Sequence, residues 1–193
     1  MLTDSQREAL AARLRRGRQD VTSVIPRRPA GMDDPPLSCG QEQLWFLDRF
    51  APGLQAYNIP LALRLSGPLD AAALGRALDG LAARHEALRT RLVMGTDGRP
   101  AQVIDPPRPL VLDLADLAEP EAGQRQARLG EYIRAAAMRP FSLADGPLLR
   151  TWLLRLAPDE HVLLVVVHHA VFDGWSARVL MADLAALYRQ EAS

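Results

Sequence analysis

The stretch from Val162 to Ser176 reads Val-Leu-Leu-Val-Val-Val-His-His-Ala-Val-Phe-Asp-Gly-Trp-Ser and decides the fold of this 193-residue chain. Its first six residues form an unbroken apolar run rich in β-branched side chains, which is typical of a strand buried on both faces. Two histidines follow where polarity begins, and a glycine then precedes a helical pattern. Because sheets flanked by helices present reactive groups at strand ends, this stretch is the first candidate for chemistry.

The composition limits the kinds of function that the chain can have. Its 23 basic and 23 acidic residues cancel, which argues against binding to bulk nucleic acid or to an anionic membrane. The single cysteine, Cys39, excludes an intrachain disulfide and a cysteine-based zinc cluster. No apolar run approaches the length of a membrane span, and the N-terminus lacks the pattern of a secretory signal. We therefore expect a cytoplasmic protein with neither nucleic acid nor membrane as partner.

The two ends of the chain differ in pattern. Residues 1–36 combine an arginine-rich amphipathic helix over 3–19, either a solvated leader or a docking element, with a proline-rich linker over 26–36. Residues 37–193 alternate helical and strand patterns, and the 48% hydrophobic content of the chain is enough for a sizeable core. The predicted class is α/β, an α+β sandwich in which helices flank a central mixed or antiparallel sheet.

The predicted elements of residues 37–193 follow from periodicity and turn residues. The last two strands, joined by a turn at 157–160, should pair as antiparallel neighbours. The second helix begins at Asp70 and carries an apolar stripe through Leu88, with His85 near its centre and Arg84 and Arg89 on opposite borders. Helices are predicted over 37–50, 70–88, 120–138 and 175–188, and strands over 61–65, 91–94, 101–104, 148–156 and 161–168.

Strand geometry separates the two adjacent histidines. Neighbouring residues of a regular strand point to opposite faces, so His168 and His169 do not readily bind one metal ion together. His85 and His161 have no ligand-like spacing to the pair, and we expect no metal site. A serine-hydrolase elbow and the glycine loops that bind phosphate are also missing from the sequence. One histidine therefore faces a cleft and the other faces packed side chains.

The polar residues of the stretch suit acyl chemistry beside one imidazole. A histidine near neutral pH can accept a proton from an attacking amine or hydroxyl. Asp173 could hold the turn or a histidine tautomer, and the amide of Gly174 at a helix start could donate to a developing oxyanion. The simpler alternative is that the histidines only satisfy backbone groups while Asp173 caps the last helix.

Residues 168–174, His-His-Ala-Val-Phe-Asp-Gly, resemble the HHxxxDG signature of the chloramphenicol acetyltransferase-like superfamily. Three flanking segments narrow the resemblance to the condensation domains of nonribosomal peptide synthetases. They are Leu-Ser-Cys-Gly-Gln-Glu-Gln-Leu-Trp-Phe-Leu at 37–47, Tyr-Asn-Ile-Pro at 57–60 and Arg-His-Glu-Ala-Leu-Arg-Thr at 84–90. Four motifs in this order make a highly specific match. The Leu-Trp-Phe-Leu phrase at 44–47 and the Trp-Ser at 175–176 look most like the subtype that accepts L-configured donors.

The resemblance implies roles for individual residues. Condensation domains join a donor acyl or peptidyl thioester to the amine of an acceptor aminoacyl thioester. His169 is then the catalytic histidine, either as a base or as the group that positions the amine. His168, Asp173 and Gly174 complete the signature, and Asp173 is expected to pair with Arg84, whose stem can pack while its head reaches a carboxylate. Further structural support of the site is expected from Arg89, Trp175 and Ser176.

The resemblance also implies partners and an incomplete cleft. Donor and acceptor peptidyl carrier proteins would supply phosphopantetheine arms, with no cofactor bound by the chain itself, in the secondary metabolism that makes peptide antibiotics. Family domains have two similar lobes, and residues 37–193 are similar to the N-terminal one. We expect the C-terminal lobe to be absent and this fragment to be inactive alone. The alternatives are a stand-alone acyltransferase that uses coenzyme A and a non-catalytic lobe that recruits a carrier protein or another synthetase domain.

Overall fold

The structure is a computed structural model, and it describes residues 28, 35–119 and 121–193. Residues 33–193 form one unit, to which the description below is confined. The predicted helix over 3–19 and most of the predicted linker lie outside the described residues, so the domain boundary at residue 36 stays a prediction. Pro36 is described and forms an isolated antiparallel bridge with Ala101.

The described part of the chain contains four α-helices, six strands and two short 3₁₀ helices. The 3₁₀ helices, Gln55–Tyr57 and Glu86–Arg89, precede the first two strands. The longer elements are α1 Cys39–Phe50, β1 Asn58–Ser66, α2 Ala71–Arg84, β2 Thr90–Met94, β3 Pro100–Ile104, β4 Leu112–Asp116, α3 Ala122–Ala137, β5 Leu149–Ala157, β6 Glu160–His168 and α4 Gly174–Glu191.

The central sheet has the strand order β1-β6-β5-β4. β6 lies between β1 and β5 and is antiparallel to both, whereas β4 runs parallel to β5 along one edge. β2 and β3 form a separate antiparallel hairpin. The sheet is therefore mixed, and the predicted antiparallel pairing of the last two strands is confirmed.

β6 is buried on both faces, as its apolar run predicts. Val162, Leu164 and Val166 enter one core cluster with residues of α3, while the intervening Leu163, Val165 and Val167 enter a second cluster with residues of α2 and α4. This alternation follows from the two-residue period of a strand. Helices therefore cover both faces of the sheet, which confirms the predicted sandwich and holds the end of β6 rigidly.

Capping side chains fix the starts of two helices. Ser38 and Gln41 form a reciprocal capping box at the start of α1, and Asp70 accepts from the amides of Ala72 and Ala73 at the start of α2. Each bond satisfies an amide that the helix itself leaves without a partner. The predicted start of α2 at Asp70 is confirmed.

Two features differ from the sequence prediction. β4 was not predicted, because its segment follows three prolines at 106, 107 and 109 that indicate a loop. α2 ends at Arg84 instead of continuing to Leu88, since His85 takes an extended conformation at the C-cap. Leu88 still reaches the core, but from the 3₁₀ helix that follows. The prediction that Arg84 and Arg89 lie on the same helix was therefore wrong, because the helix ends before Arg89.

Candidate active site

His168 is the last residue of β6 and is buried, with 5% of its surface exposed. Its Nδ1 accepts a hydrogen bond of 3.1 Å from the amide of Ala170. Its ring packs near those of Tyr57 and Phe141, with centroid separations of 6.3 and 6.1 Å. Burial lowers the pKa of His168 to about 4, with a smaller contribution from the charge of the neighbouring His169. The ring is therefore neutral at pH 7 and carries its proton on Nε2.

His169 is exposed, in contrast to its neighbour. Its backbone amide donates to the carbonyl of Tyr57 at 2.8 Å, which fixes the main chain next to the start of β1. Its ring Nδ1 lies 2.6 Å from the carbonyl oxygen of Phe172. Because a carbonyl can only accept, Nδ1 carries the proton, and Nε2 keeps a lone pair in the neutral ring. Nε2 of His169 is thus the atom that can take a proton from a substrate.

An open cavity of about 530 Å³ lies beside His169. Its walls come from the N-terminal turn of α1, from Gln102 on β3 and from residues 169–173 with Ser176. With Ala87 of the second 3₁₀ helix, four separate segments of the chain therefore line the cavity beside His169. Such a convergence of polar groups on an open cavity is typical of a binding or catalytic site.

Asp173 caps α4 at the edge of this cavity. One carboxylate oxygen accepts from the amide of Ser176 at 2.8 Å and from its hydroxyl at 2.6 Å. These bonds lower the pKa of Asp173 below its ordinary value, so the side chain is ionised at neutral pH. A Cβ added at Gly174 would meet no atom within 4 Å. A side chain at this position would therefore point into open space.

The expected ion pair between Arg84 and Asp173 is not formed. Arg84 instead binds Asp183 on α4, with Nε 3.1 Å from Oδ2, and its side chain is 66% exposed. His85 reaches the same carboxylate oxygen through Nε2 at 2.8 Å. The prediction failed because Asp173 satisfies the nearby amide of its own helix, whereas the C-terminal end of α2 lies beside Asp183. The simpler alternative for Asp173, a helix cap, is the one observed.

The other predicted support residues take different positions. Arg89 donates to the backbone carbonyl of Asp105 and does not line the cavity of His169. Trp175 is exposed, stacks under the guanidinium of Arg178 at 5.5 Å and lines a separate apolar recess of about 140 Å³. Ser176 lies at the site itself, through its two bonds to the α4 cap.

Sequence reasoning missed two glutamines that line the cavity. Gln41 donates through Nε2 to the carbonyl of Ala170 at 3.2 Å and to Oε1 of Gln102 at 3.0 Å. The Ser38-x-x-Gln41 spacing signalled only the capping box, which is a local bond. The bond from Gln41 to Ala170 joins residues 129 positions apart, and nothing in a single sequence marks such a pair.

The described residues contain neither a metal-binding cluster nor a membrane-spanning helix. Within residues 35–119 and 121–193, no group of three or more histidine, cysteine or acidic side chains could hold a metal ion. Over the same residues, every helix is too short or too polar to cross a bilayer.

Residues 32–193 match the family model described as the condensation domain. The chain belongs to this family. Amide-bond formation in nonribosomal peptide synthesis is the general role of the family, whose members act together with carrier domains. The match covers the N-terminal part of the domain.

Similar proteins are large synthetases. The chain is 45% identical to chondramide synthase of Chondromyces crocatus over 175 residues, which is 91% of this chain and 4% of that protein. It is 44% identical to isonitrile lipopeptide synthase of Mycobacterium tuberculosis over 165 residues, which is 86% of this chain and 6% of that protein. The chain thus spans a small fraction of the relatives that it matches.

Solved structures show the same fold. The first condensation domain of the calcium-dependent antibiotic synthetase, in complex with a substrate analogue, matches with a TM-score of 0.75 and 28% identity over 82% of this chain and 38% of that one. The starter condensation domain of rhizomide synthetase matches with a TM-score of 0.73 and 26% identity over 80% of this chain and 37% of that one. These matches confirm the predicted chloramphenicol acetyltransferase-like fold.

Proposed function

We propose that this chain supplies the N-terminal lobe of a condensation domain that forms an amide bond between a donor acyl or peptidyl thioester and an acceptor aminoacyl thioester. The observation that carries the proposal is the bond from Nδ1 of His169 to the carbonyl of Phe172, which leaves Nε2 as a proton acceptor beside an open cavity. The acceptor amine binds next to this nitrogen.

The chemistry uses the residues at the end of β6 and the start of α4. The acceptor amine attacks the thioester carbonyl, a C–N bond forms, and the C–S bond breaks. Nε2 of His169 either takes the proton that the amine loses and passes it to the leaving thiolate, or orients the amine for attack. Gly174 at the start of α4 is exposed, and a developing oxyanion placed there would gain from the positive end of the helix dipole.

The partners of this reaction are donor and acceptor peptidyl carrier proteins. Each carries its substrate on a phosphopantetheine arm, so the chain itself needs no resident cofactor. The matched solved domains extend well beyond the part that this chain covers, and a C-terminal lobe would close the open side of the cavity. The fragment alone is then inactive. A cytoplasmic location belongs to the same proposal and agrees with the single exposed cysteine.

The direct test is a single-turnover assay with the synthetase polypeptide that carries this chain and with two loaded carrier proteins. His169→Ala should lower the rate of amide formation by about 10² to 10⁴, the range expected for loss of a general base or acid. The matched control is His161→Asn at the opposite end of the same strand, which should leave the rate nearly unchanged. Full activity in His169→Ala would overturn the proposal.

A further inference from the structure

Gln41 stands where three segments of the chain meet. Its Nε2 donates to Oε1 of Gln102 on β3 at 3.0 Å and to the carbonyl of Ala170 at 3.2 Å. Its Oε1 accepts from the backbone amide of Ser38 at 2.9 Å. Both amide hydrogens and one carbonyl lone pair of the side chain are therefore used.

The orientation of this amide is fixed by its neighbours. Gln102 donates through its own Nε2 to the carbonyl of Pro36 at 2.9 Å, so its Oε1 is the atom that faces Gln41. A Gln41 amide turned by 180° would bring its oxygen against two other oxygens and its NH₂ group against the Ser38 amide. The hydrogen-bond network thus allows only one orientation, in which Gln41 donates to Ala170.

Ala170 follows His169 directly and is almost completely buried. Its amide donates to Nδ1 of His168 at 3.1 Å, while its carbonyl accepts from Gln41. Side chains on two different elements therefore hold both polar groups of one residue. The tight turn continues with the amide of Val171 bound to the carbonyl of His168 at 3.1 Å, and it closes with the ring of His169 bound to Phe172.

We propose that Gln41 is a positioning residue, which holds the turn after His169 through the Ala170 carbonyl and so keeps the His169 imidazole bound to Phe172 with Nε2 free for the substrate. This inference deepens the proposed condensation function and rests on it for its kinetic consequence. The bond network itself does not depend on that function.

The chain offers a substitution that separates positioning from folding. Gln41→Glu keeps an oxygen for the Ser38 amide, and Ser-x-x-Glu is itself a capping box, so α1 retains its start. The carboxylate has no hydrogens to donate to Ala170 or Gln102. Gln41→Met removes the same donors without adding charge. The matched control is Gln43→Glu, which makes the same change at an exposed position of the same helix.

Two measurements test the proposal. In the single-turnover assay of the carrier-loaded synthetase, both Gln41 variants should lower the rate at saturating carrier by about tenfold, the effect expected from losing the bond to the Ala170 carbonyl, with little change in the carrier concentration at half-maximal rate. In the histidine-labelled 193-residue chain, ¹⁵N NMR should show that the Nδ1–H form of His169 loses its dominance in both variants. Gln43→Glu should match the parent in both measurements.

The outcomes separate this proposal from the proposed function. Unchanged rate and tautomer in the two Gln41 variants would overturn the positioning role, even where they melt earlier than the parent, because a lower melting temperature alone reflects structure. A change in Gln41→Glu but not in Gln41→Met would also overturn it, since charge and not the missing donors would be the cause. If His169→Ala retains activity, the condensation function fails, while the NMR experiment still decides whether Gln41 holds His169.

Discussion

The ring of His169 and the carbonyl of Phe172 are joined by a hydrogen bond of 2.6 Å from Nδ1 to oxygen. Four consecutive residues therefore contain both the exposed imidazole and the group that fixes its protonation pattern. The turn is short because β6 ends at His168 and α4 begins at Gly174. The buried strand β6 anchors this turn in the core, and the turn places the His169 ring at the surface.

This bond predicts the tautomer of His169. A hydrogen bond from Nδ1–H to a carbonyl should favour the Nδ1–H form over the Nε2–H form by roughly tenfold at a pH where the ring is neutral. Long-range ¹H–¹⁵N NMR of the histidine-labelled chain reports which nitrogen bears the proton. His168 should show the opposite form, because its Nδ1 accepts from Ala170. The same tautomer for both rings would contradict the assignment.

The positions of Arg84 and Asp173 predict independent effects on stability. Asp173→Ala removes the acceptor for the amide and hydroxyl of Ser176, so the midpoint of thermal unfolding should fall by a few degrees. Asp173→Asn keeps an acceptor oxygen and should lose less. Arg84→Ala breaks only an exposed pair with Asp183 and should change the midpoint little.

A double-mutant cycle provides the control for this prediction. The shifts caused by Arg84→Ala and Asp173→Ala should add, because the two side chains bind different partners. A large coupling energy between the two substitutions would instead indicate that Arg84 and Asp173 form the ion pair that the family resemblance suggested. The comparison needs only thermal unfolding of four versions of the chain.

Much of the fold follows from local pattern. The apolar run before His168 predicted a strand buried on both faces, and strand alternation predicted one buried and one exposed histidine. Side-chain caps were also predictable, because a cap binds amides two or three residues away. These features depend on residues that are close in sequence, so one sequence is enough to reveal them.

What the sequence could not predict depends on which distant segments meet. Gln41 and Ala170 are 129 positions apart, and their bond requires α1 to lie beside the end of β6. The choice of Asp183 over Asp173 by Arg84 likewise depends on how α2 and α4 pack. β4 pairs with β5 over a segment whose preceding prolines indicate a loop. In each case tertiary packing decided between local alternatives.

Arg91 and Asp105 close the open end of the β2–β3 hairpin. Nε and Nη2 of Arg91 lie 2.7 and 2.9 Å from the two carboxylate oxygens, and Nη1 donates to the carbonyl of Ala144 at 2.9 Å. The Arg91 guanidinium holds the pKa of Asp105 below its ordinary value. Because the pair is partly exposed, Asp105→Asn should lower the free energy of unfolding by only about 1 kcal/mol at neutral pH.

The pH dependence of the free energy of unfolding shows whether the loss in Asp105→Asn comes from the ion pair with Arg91. Asp105 has a lowered folded-state pKa, so its contribution is complete above the unfolded-state value of about 4 and disappears as the pH falls through the lower folded-state value. Urea unfolding of the parent and Asp105→Asn should therefore converge in acid. Asp159→Asn, in the exposed turn before β6, serves as the control and should follow the parent. A constant difference down to low pH would show that the carboxylate charge is not the cause.

His168 should make the fold sensitive to mild acid. Its folded-state pKa is about 4, whereas an unfolded histidine titrates near 6.5, so the unfolded chain binds the additional proton between these values. The free energy of unfolding should therefore fall as the pH drops from about 6.5 to about 4, with a contribution that approaches about 1.4 kcal/mol per pH unit. His168→Asn keeps an oxygen for the Ala170 amide but has no titrating ring, so its profile should lack this contribution. Urea unfolding at several pH values measures both profiles, and parallel curves would show that His168 is not buried in its neutral form.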